Sequence, residues 1–367
     1  MNQTRLNNLK TELQTASLDG IVLMPGPNMV YISHIHSHVS ERPILLFLFA
    51  DAPPAAIIPN LEAMKAEAAG VPKERIFGWS DEDGFEGAFA AAGEALGLAG
   101  KKLGVEALHM RVLEHDTLKT AVPTLTLKHA DHVMAALRMV KDDSEIAAMQ
   151  KAVHVAEKAM QNLLPQLSIG QTEKQIAAML RDEMLQAGAD SIAFTIVSGG
   201  PNSASPHAVP TDRPIQAGDL LVIDWGCIVD GYPSDITRTF AVGDIDAERQ
   251  RIYNAVKLAN EQGKAIAAPG KTGQQVDSAA REVIEEAGYA QYFIHRTGHG
   301  RGIEAHEPPL MSAVYTEQLV EGNVFTVEPG IYLPGKAGVR IEDDVVVTAD
   351  GVRSLTTFPR DLITIGK

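Results

Sequence analysis

A recurrence at a spacing of 100 residues constrains the fold of this chain more than any other feature. Matching residues stand in register at Gly170, Thr172, Gln175, Ile176, Arg181, Asp182, Ala187 and Gly188, and again at Gly270, Thr272, Gln275, Val276, Arg281, Glu282, Ala287 and Gly288. A helical pattern precedes each copy, and strand patterns follow it. Chance similarity between alanine-rich helices would not keep one offset, so we interpret the C-terminal two-thirds as two related units. Such halves usually pack about a pseudo-two-fold axis, with a site where their sheets meet.

The first 130 residues follow a different pattern, in which short apolar strands alternate with helices. This alternation predicts an α/β domain with both sheet faces covered. We place the domain boundary between residues 133 and 134, giving domains 1–133 and 134–367. Ser144 is the predicted N-cap of the first long helix of the second domain, over 145–164.

Composition excludes several classes of partner. The formal charge is −15, which argues against nucleic acid and anionic membranes as partners. The longest apolar run, residues 44–50, is too short to span a bilayer, and the N-terminus lacks the apolar run of a signal peptide. The single cysteine, Cys227, excludes an intrachain disulfide and fits a reducing cytoplasm. Its strand-like neighbours predict a buried thiol.

Two aspartates lie in the stretch 220–238. Four apolar residues lead to Asp224, a turn signal follows at Asp230-Gly231-Tyr232-Pro233, and Asp235 comes next. We expect a hairpin in which a strand ends at each aspartate, so that the two stand side by side at the buried end of a sheet. Buried together, they require protonation or a cation. For the pair alone, one surface aspartate and one bonded to backbone remain an equal alternative.

Later segments add a glycine-flanked histidine, His299, and two acids, Glu328 and Glu342, at the ends of β-branched runs. Each acid alone could be bonded to backbone amides, but four acids and a histidine are hard to bury without cations. Their charge balances two divalent ions, between which a water would become hydroxide near neutral pH. Oxygen-rich ligands with one imidazole favour Mn, Co, Fe or Zn. The chain has no HExxH motif, which excludes a zincin arrangement.

A second group of histidines, His34, His36 and His38, lies at alternate positions in the N-terminal domain. They could share a strand face and bind a metal. Residues of this kind more often line a loop.

Five motifs in order resemble the pita-bread metallopeptidases, a family that includes prolidase, aminopeptidase P and methionine aminopeptidase. They are Ser-Asp-Ile-Thr-Arg-Thr, Gly-His-Gly, His-Glu-Pro-Pro, Val-Glu-Pro-Gly-Ile-Tyr and Val-Arg-Ile-Glu-Asp-Asp. The N-terminal domain is similar to that of prolidase, aminopeptidase P and creatinase. The resemblance implies an α/β N-terminal domain followed by an α+β pita-bread catalytic domain with an internal pseudo-two-fold repeat.

The resemblance also implies metal ligands. Asp224 corresponds to the aspartate that binds the first ion, and Asp235 to the bridging aspartate. His299 and Glu328 correspond to ligands of the second ion, and Glu342 to the bridging glutamate. Glu328 further corresponds to the residue proposed to carry protons between the bridging water and the leaving amine. The implied cofactors are two divalent ions per chain, Mn or Co, with Zn or Fe as alternatives.

Other positions resemble substrate-binding residues of the family. His207 and His306 correspond to the two catalytic histidines that contact the substrate carbonyl and stabilise the oxyanion. His295 corresponds to a pocket histidine on the proline side, and Arg340 to an arginine that ties the site to its surroundings. Thr237 is placed to bond a ligand carboxylate from outside the ligand shell.

Arg301 departs from the family pattern, because relatives usually carry an aliphatic residue after Gly-His-Gly. If the segment is a strand, alternation places Arg301 on the side of His299, where it could bind a substrate carboxylate. In the alternative, the flanking glycines break the strand and Arg301 faces solvent or pairs with Glu304.

The function implied is that of a dinuclear metal-dependent exopeptidase that hydrolyses Xaa-Pro bonds, as a dipeptidase or an aminopeptidase, with a bridging hydroxide as nucleophile. The alternatives are a creatinase-like or osmolyte C–N hydrolase or lyase, a methionine aminopeptidase, and a non-enzymatic binding module. The extra N-terminal domain argues against methionine aminopeptidase, and the complete ligand set argues against a binding module. We expect short proline-containing peptides as substrates and a homodimer in which the loop 34–42 helps to close the neighbour's site.

Overall fold

The computed structural model describes residues 1–366. One compact unit comprises Met1–Arg138, and a second begins at Met139. The boundary predicted between residues 133 and 134 falls inside a helix, Asp131–Met139.

The first unit is built around one six-stranded sheet. Its helices are α1 (Gln3–Thr15), α2 (Pro27–Ser33), α3 (Ala63–Ala68), α4 (Glu86–Ala95), α5 (Val112–Ala121) and α6 (Asp131–Met139), which runs to the start of the second unit. Its strands are β1 (Gly20–Leu23), β2 (Leu45–Phe49), β3 (Ala55–Pro59), β4 (Ile76–Trp79), β5 (Lys102–Val105) and β6 (Thr126–His129). They lie in the order β4-β3-β2-β1-β5-β6, and every residue of β1, β2 and β3 is buried. Both faces of the sheet are therefore covered, as the α/β prediction requires.

The second unit contains two five-stranded sheets and a two-stranded ribbon. Its helices are α7 (Asp143–Leu163), α8 (Glu173–Gln186), α9 (Ala247–Ile266) and α10 (Gly273–Glu286). Its first strands are β7 (Ser191–Gly199), β8 (Leu220–Val229), β9 (Tyr232–Pro233) and β10 (Ile236–Val242). The later strands are β11 (Gly298–Gly300), β12 (Glu307–Met311), β13 (Val324–Val327), β14 (Gly330–Leu333), β15 (Ala337–Arg340), β16 (Asp343–Thr348), β17 (Gly351–Ser354) and β18 (Thr364–Ile365). One sheet has the order β18-β10-β8-β7 with β9 beside β8, the other has β12-β11-β13-β16-β17, and β14 pairs with β15.

The 100-residue recurrence corresponds to two matching helix pairs, α7–α8 and α9–α10. Thr172 and Thr272 cap α8 and α10 in the same way, because each side chain accepts the N–H of a glutamine three residues later while that glutamine bonds the threonine N–H. Buried apolar positions recur at the same offset: Ile176, Leu180 and Met184 in α8, and Val276, Ala280 and Ile284 in α10. A spacing of four residues puts each set on one helical face. The predicted repeat is therefore confirmed at the level of these helices.

The N-cap predicted for the first long helix of this unit is wrong. Asp142, and not Ser144, caps α7, since its side chain accepts the Glu145 N–H at 2.9 Å. Glu145 accepts the Asp142 N–H in return at 3.1 Å. This reciprocal arrangement satisfies two helix-end donors instead of one, so the helix begins two residues earlier than predicted.

The strand alternative for His34, His36 and His38 is also wrong. His34 ends α2 in a left-handed conformation with φ 58°, and residues 34–39 have no regular secondary structure. Strand alternation therefore does not apply to these histidines, which lie in a loop.

The buried thiol expected at Cys227 is confirmed, because the residue lies within β8 and is inaccessible. Burial raises the pKa of this thiol to about 11, which leaves little thiolate at neutral pH. None of the helices in residues 1–366 has both the length and the apolar character needed to cross a membrane.

Candidate metal centre

Asp224 and Asp235 lie on one side of the first sheet of the second unit. The prediction that a strand ends at each aspartate is wrong, because β8 continues through Asp224 to Val229 and Asp235 directly precedes β10. The turn falls where predicted, at Asp230 and Gly231, whose φ angles are 52° and 82°. Asp224 pairs in register with Thr237, two positions after Asp235. Alternate residues share a face of a strand, which brings the two carboxylates together.

The later strands and loops carry the other three sequence-predicted ligands. His299 lies in β11, Glu328 follows β13, and Glu342 lies between β15 and β16. The Glu328 N–H donates to the Thr297 carbonyl at 2.7 Å, and the Glu342 N–H donates to the Thr237 carbonyl at 3.1 Å. The second bond fixes the loop of Glu342 against β10, so residues from both halves of the repeat meet here.

These five side chains and that of His306 converge in overlapping groups whose potential ligand atoms lie within 4.8 Å of one another: Asp224, Asp235 and Glu342; His299, Glu328 and Glu342; and Asp235, His299 and His306. His299 Nε2 is 3.2 Å from Glu328 Oε1 and 3.8 Å from Asp235 Oδ2. Glu342, Asp235 and His299 each belong to two groups. Side chains shared in this way can serve neighbouring ion positions.

The electrostatics of the centre favour a cation. Burial raises the pKa of Asp224, and burial together with the nearby carboxylates of Glu328 and Asp224 raises that of Glu342 well above its ordinary value. Burial acts in the same direction on Glu328, but the hydrogen bond and charge of His299 outweigh it and lower its pKa to about 2. Asp224 Oδ1 is buried without a hydrogen-bond partner among the described residues. An orphaned carboxylate oxygen among other buried acids fits a bound divalent ion.

A hydrogen-bonded network surrounds the carboxylates. Thr237 Oγ1 donates to Glu342 Oε2 at 2.6 Å, the contact expected of it from the sequence. Arg340 donates to Thr237 Oγ1 at 3.1 Å and to Asp224 Oδ2 at 2.7 Å. Its Nη1 donates at 2.9 Å to the Tyr332 hydroxyl, which lies 2.9 Å from His295 Nε2. Arg340 therefore holds Asp224 from behind and connects it to the pocket histidine.

A cavity of about 440 Å³ opens onto the ligand side chains. Besides the five ligands, it is lined by Phe194, Ile196, Pro206, His207, His295, Arg296, Ala305, His306 and Arg340. His207 lies in an exposed loop after β7, whereas His306 lies just before β12 with its ring centroid 3.8 Å from that of His299. Both histidines are exposed and line the cavity, so each can reach a molecule bound there.

The structure supports neither a substrate contact nor a solvent-facing side chain for Arg301. The side chain is fully buried, which excludes the solvent-facing alternative, and it does not line the cavity where it could meet a substrate carboxylate. Its Nη1 lies 3.0 Å from Asp235 Oδ2 and 3.2 Å from Asp344 Oδ1. The strand β11 ends at Gly300, and the chain then turns the guanidinium behind the aspartate.

Sequence reasoning missed three residues of this site. Tyr332 bridges His295 and Arg340, and Thr326 Oγ1 accepts the His299 N–H at 3.1 Å while donating to Glu328 at 3.0 Å. Asp344 accepts the Asp235 N–H at 3.2 Å. All three stand inside or beside the recognised motifs, which was the available signal, but local spacing does not reveal contacts such as those of Thr326 with His299 and of Asp344 with Asp235.

Comparison with known proteins places this arrangement in a family. The model described as Metallopeptidase family M24 matches residues 147–349, and the model described as Creatinase/Prolidase N-terminal domain matches residues 5–140. The chain is 37% identical to the Xaa-Pro dipeptidase of Pyrococcus horikoshii over 95% of each protein. It is 38% identical to the probable dipeptidase PepE of Mycobacterium tuberculosis, over 95% of this chain and 93% of that protein.

A solved structure gives the same result for the fold. The recombinant prolidase from Thermococcus sibiricus matches with a TM-score of 0.94 at 34% identity, and the match covers 100% of both chains. The predicted fold class and the family resemblance are confirmed.

Proposed function

The chain belongs to metallopeptidase family M24, and from this premise we propose that it hydrolyses Xaa-Pro dipeptides with two divalent metal ions. The observation that carries the proposal is the convergence of Asp224, Asp235, His299, Glu328 and Glu342 beneath a cavity large enough for a dipeptide. The relatives named above include an Xaa-Pro dipeptidase and a prolidase. Dipeptides are therefore the first substrates to test, before the longer peptides of an aminopeptidase.

The overlapping groups support two ion positions. Asp224, Asp235 and Glu342 would hold one ion, whereas His299, Glu328 and Glu342 would hold the other. Bound ions would supply an acidified water as nucleophile and a Lewis acid for the scissile carbonyl. Carboxylate oxygens with one imidazole favour Mn or Co, with Zn or Fe as alternatives.

Glu328 is the ligand best placed to exchange protons with a substrate. Its side chain is 15% exposed, against 11% for Asp224 and 6% for Asp235. Its carboxylate accepts a hydrogen bond from Thr326, which holds it in place. We assign it the transfer of a proton to the amine that leaves when the peptide bond breaks.

His207 and His306 are proposed to donate hydrogen bonds to the substrate carbonyl oxygen. Both line the cavity from outside the ligand group, where a donor could meet the oxyanion as it develops. His306 also lies within reach of Asp235 and His299, and we assign it to the substrate because its side chain is exposed to the cavity.

The specificity for proline follows from the cavity wall. A prolyl amide has no N–H, so a site for it needs no acceptor opposite that nitrogen but must cover an apolar ring. Phe194, Ile196 and Ala305 supply apolar surface, and His295 is held beside them by Tyr332. We assign His295 to the side of the pocket that takes the proline.

The decisive experiment removes all metal and restores Mn, Co or Zn in separate samples. Xaa-Pro, Xaa-Pro-Xaa, Met-Xaa-Xaa and creatine are then compared as substrates at matched concentration. We expect metal-dependent hydrolysis that is fastest for Xaa-Pro. Cleavage of Met-Xaa-Xaa or creatine without Xaa-Pro cleavage would reject the proposal in favour of the corresponding relative.

The cellular location and the oligomeric state of the enzyme are also proposals. We propose a cytoplasmic homodimer, since the one cysteine of the chain is a buried thiol suited to a reducing compartment and the polar, histidine-rich loop 34–42 could help to close a neighbour's site. Sedimentation equilibrium should give twice the chain mass, and a fully active monomer would contradict the dimer.

A further inference from the structure

Arg301 is a buried cation in direct contact with one of the proposed metal ligands. Its side chain has no exposed surface, and its Nη1 lies 3.0 Å from Asp235 Oδ2 and 3.2 Å from Asp344 Oδ1. Its Nη2 donates to the Pro233 carbonyl, two residues before Asp235. One guanidinium thus holds both the side chain of Asp235 and the backbone that leads to it.

Asp344 completes the arrangement from the other side. Its Oδ2 accepts the backbone N–H of Asp235, while its Oδ1 accepts from Arg301. Asp344 is itself fixed by a hydrogen bond between its N–H and Thr356 Oγ1 at 3.0 Å. Protein groups therefore restrain Asp235 through both its side chain and its backbone.

This contact changes the charge balance of the centre. Four ligand carboxylates by themselves would neutralise two divalent ions. Arg340 pairs with Asp224 at 2.7 Å and Arg301 pairs with Asp235 at 3.0 Å, so two of these carboxylates already have a cation. Asp344 supplies one further negative charge, which offsets only one of the two guanidinium groups. Until a bridging hydroxide formed, the set would therefore be one negative charge short of balancing two bound ions.

We propose that Arg301 is a positioning residue of the metal centre, which fixes Asp235 before metal binds and weakens the binding of the second ion. The proposal rests on the metal ligands assigned under the proposed function. A permanent positive charge beside Asp235 repels an arriving divalent ion, whereas the same charge relieves the repulsion among buried acids when metal is absent. The two ions therefore load at separate concentrations, and the metal-free protein keeps its ligands in place.

The test compares Arg301→Met, which replaces the stem of the side chain but removes its charged end, with the parent protein. Calorimetric titration of metal-free protein with Mn²⁺ should show the second ion binding about tenfold more tightly in the variant, because a unit charge that repelled a divalent ion is gone. Thermal unfolding should show a lower Tm in the metal-free variant and a larger rise in Tm on adding Mn²⁺ than in the parent.

Two further variants separate charge from structure. Arg301→Lys keeps the charge and should keep the second dissociation constant within about threefold of the parent value, a shift well below that of the Met variant. Arg213→Met breaks another arginine–aspartate pair of this unit, with Asp219 at 2.8 Å. It should lower Tm by the same amount with and without Mn²⁺.

Several outcomes would overturn the proposal. The proposal is contradicted if the second ion binds Arg301→Met no more tightly than it binds the parent. It is also contradicted if the second dissociation constant changes as much in Arg301→Lys as in Arg301→Met. If Arg301→Met folds only with metal, the neutral variant Arg301→Gln replaces it in the titration and should bind the second ion about tenfold more tightly than Arg301→Lys. If the parent protein binds no Mn²⁺, the proposed function itself is rejected. If the parent binds two ions and Arg301→Met binds them with the same affinities, this inference alone is rejected.

Discussion

The two units of this chain bury acidic side chains in different ways. In the first unit, Glu106 is 1% exposed, and its two oxygens accept hydrogen bonds from the Met24 N–H at 2.6 Å and from Asn28 at 2.8 Å. In the second unit, Asp224 keeps one buried oxygen without a partner in the described structure, and further acids stand beside it. Neutral donors satisfy the first acid, so it is part of a structural core. The second group is complete only with cations, which makes it a site.

The two units also differ in where their cores place polar groups. Apolar residues fill the first sheet, where every residue of β1, β2 and β3 is buried. The second unit has a similar apolar core around Trp225, but Asp224, one residue earlier in β8, is buried on the opposite face of the sheet. The packing of a strand thus tolerates an acid where neighbouring elements supply an arginine and room for ions.

Loss of a metal ligand should have the largest effect on turnover, and it tests most directly the difference between the acids of the two units. We expect Asp235→Asn to lower the turnover of Xaa-Pro by at least about 10³-fold, because the centre contributes several kcal/mol to the transition state. Elemental analysis after removal of excess metal should fall from about two ions per chain to below one. Full occupancy in this variant would contradict the assignment of Asp235.

A substitution that creates a cavity in the core of the first unit should lower stability without changing the metal centre of the second unit. Phe89 is fully buried in α4, and Phe89→Ala is expected to lower the free energy of unfolding by about 3–5 kcal/mol. Each folded chain should bind as many metal ions as the parent, since the proposed ligands all lie after residue 138. Denaturant unfolding and elemental analysis check the two halves of this prediction, and a loss of metal from folded chains would refute it.

Loss of a substrate-binding histidine should slow catalysis and leave metal in place. We expect His207→Ala and His306→Ala each to lower kcat about 100- to 1000-fold, the usual contribution of one oxyanion donor. Both proteins should retain the metal content of the parent. If His306→Ala instead loses an ion, His306 is a ligand, as its proximity to Asp235 and His299 would allow.

Loss of a hydrogen bond behind the ligands should have an intermediate effect. Thr237→Val preserves the shape of a fully buried residue but removes the donor to Glu342 Oε2 and the acceptor for Arg340. We expect metal affinity to fall about 10- to 100-fold, measured by competition with a chelator. Thr239→Val is the control, because Thr239 bonds only the backbone of Arg340 among the described residues, and its affinity should stay near that of the parent.

The smallest effect is expected from Glu106, the buried acid of the first unit whose two oxygens both accept hydrogen bonds. Burial raises the pKa of Glu106 above its ordinary value, so folding favours its protonated form. Its contribution to stability is complete below the unfolded pKa and is lost as pH rises through the folded pKa. Parent protein should therefore lose stability relative to Glu106→Gln between pH 4 and neutral pH, as measured by metal-free urea unfolding. The predicted direction is contradicted if the stability of the parent relative to Glu106→Gln stays constant or increases as pH rises.

Local sequence patterns predicted much of this structure. The helix pairs recur because Thr172 and Thr272 have the same glutamine three residues later and the same apolar spacing after it. The turn at Asp230-Gly231 needs positive φ, which glycine adopts without strain, so two residues predict it. The candidate ligands were found for a similar reason, since an acid next to a buried apolar run is costly wherever the chain folds.

What the sequence by itself determined was therefore local: the repeat, the strands and the acids that interrupt them. Tertiary structure alone decided the partners, because a contact between residues distant in the chain depends on how the sheets pack. Asp224 lies within β8 rather than at its end, since its strand pairs onward to Val229. Arg301 is the clearest case. Its neighbours in sequence predicted a substrate contact, a solvent-facing side chain or a pair with Glu304, but packing places its guanidinium 3.0 Å from Asp235, sixty-six positions earlier in the chain.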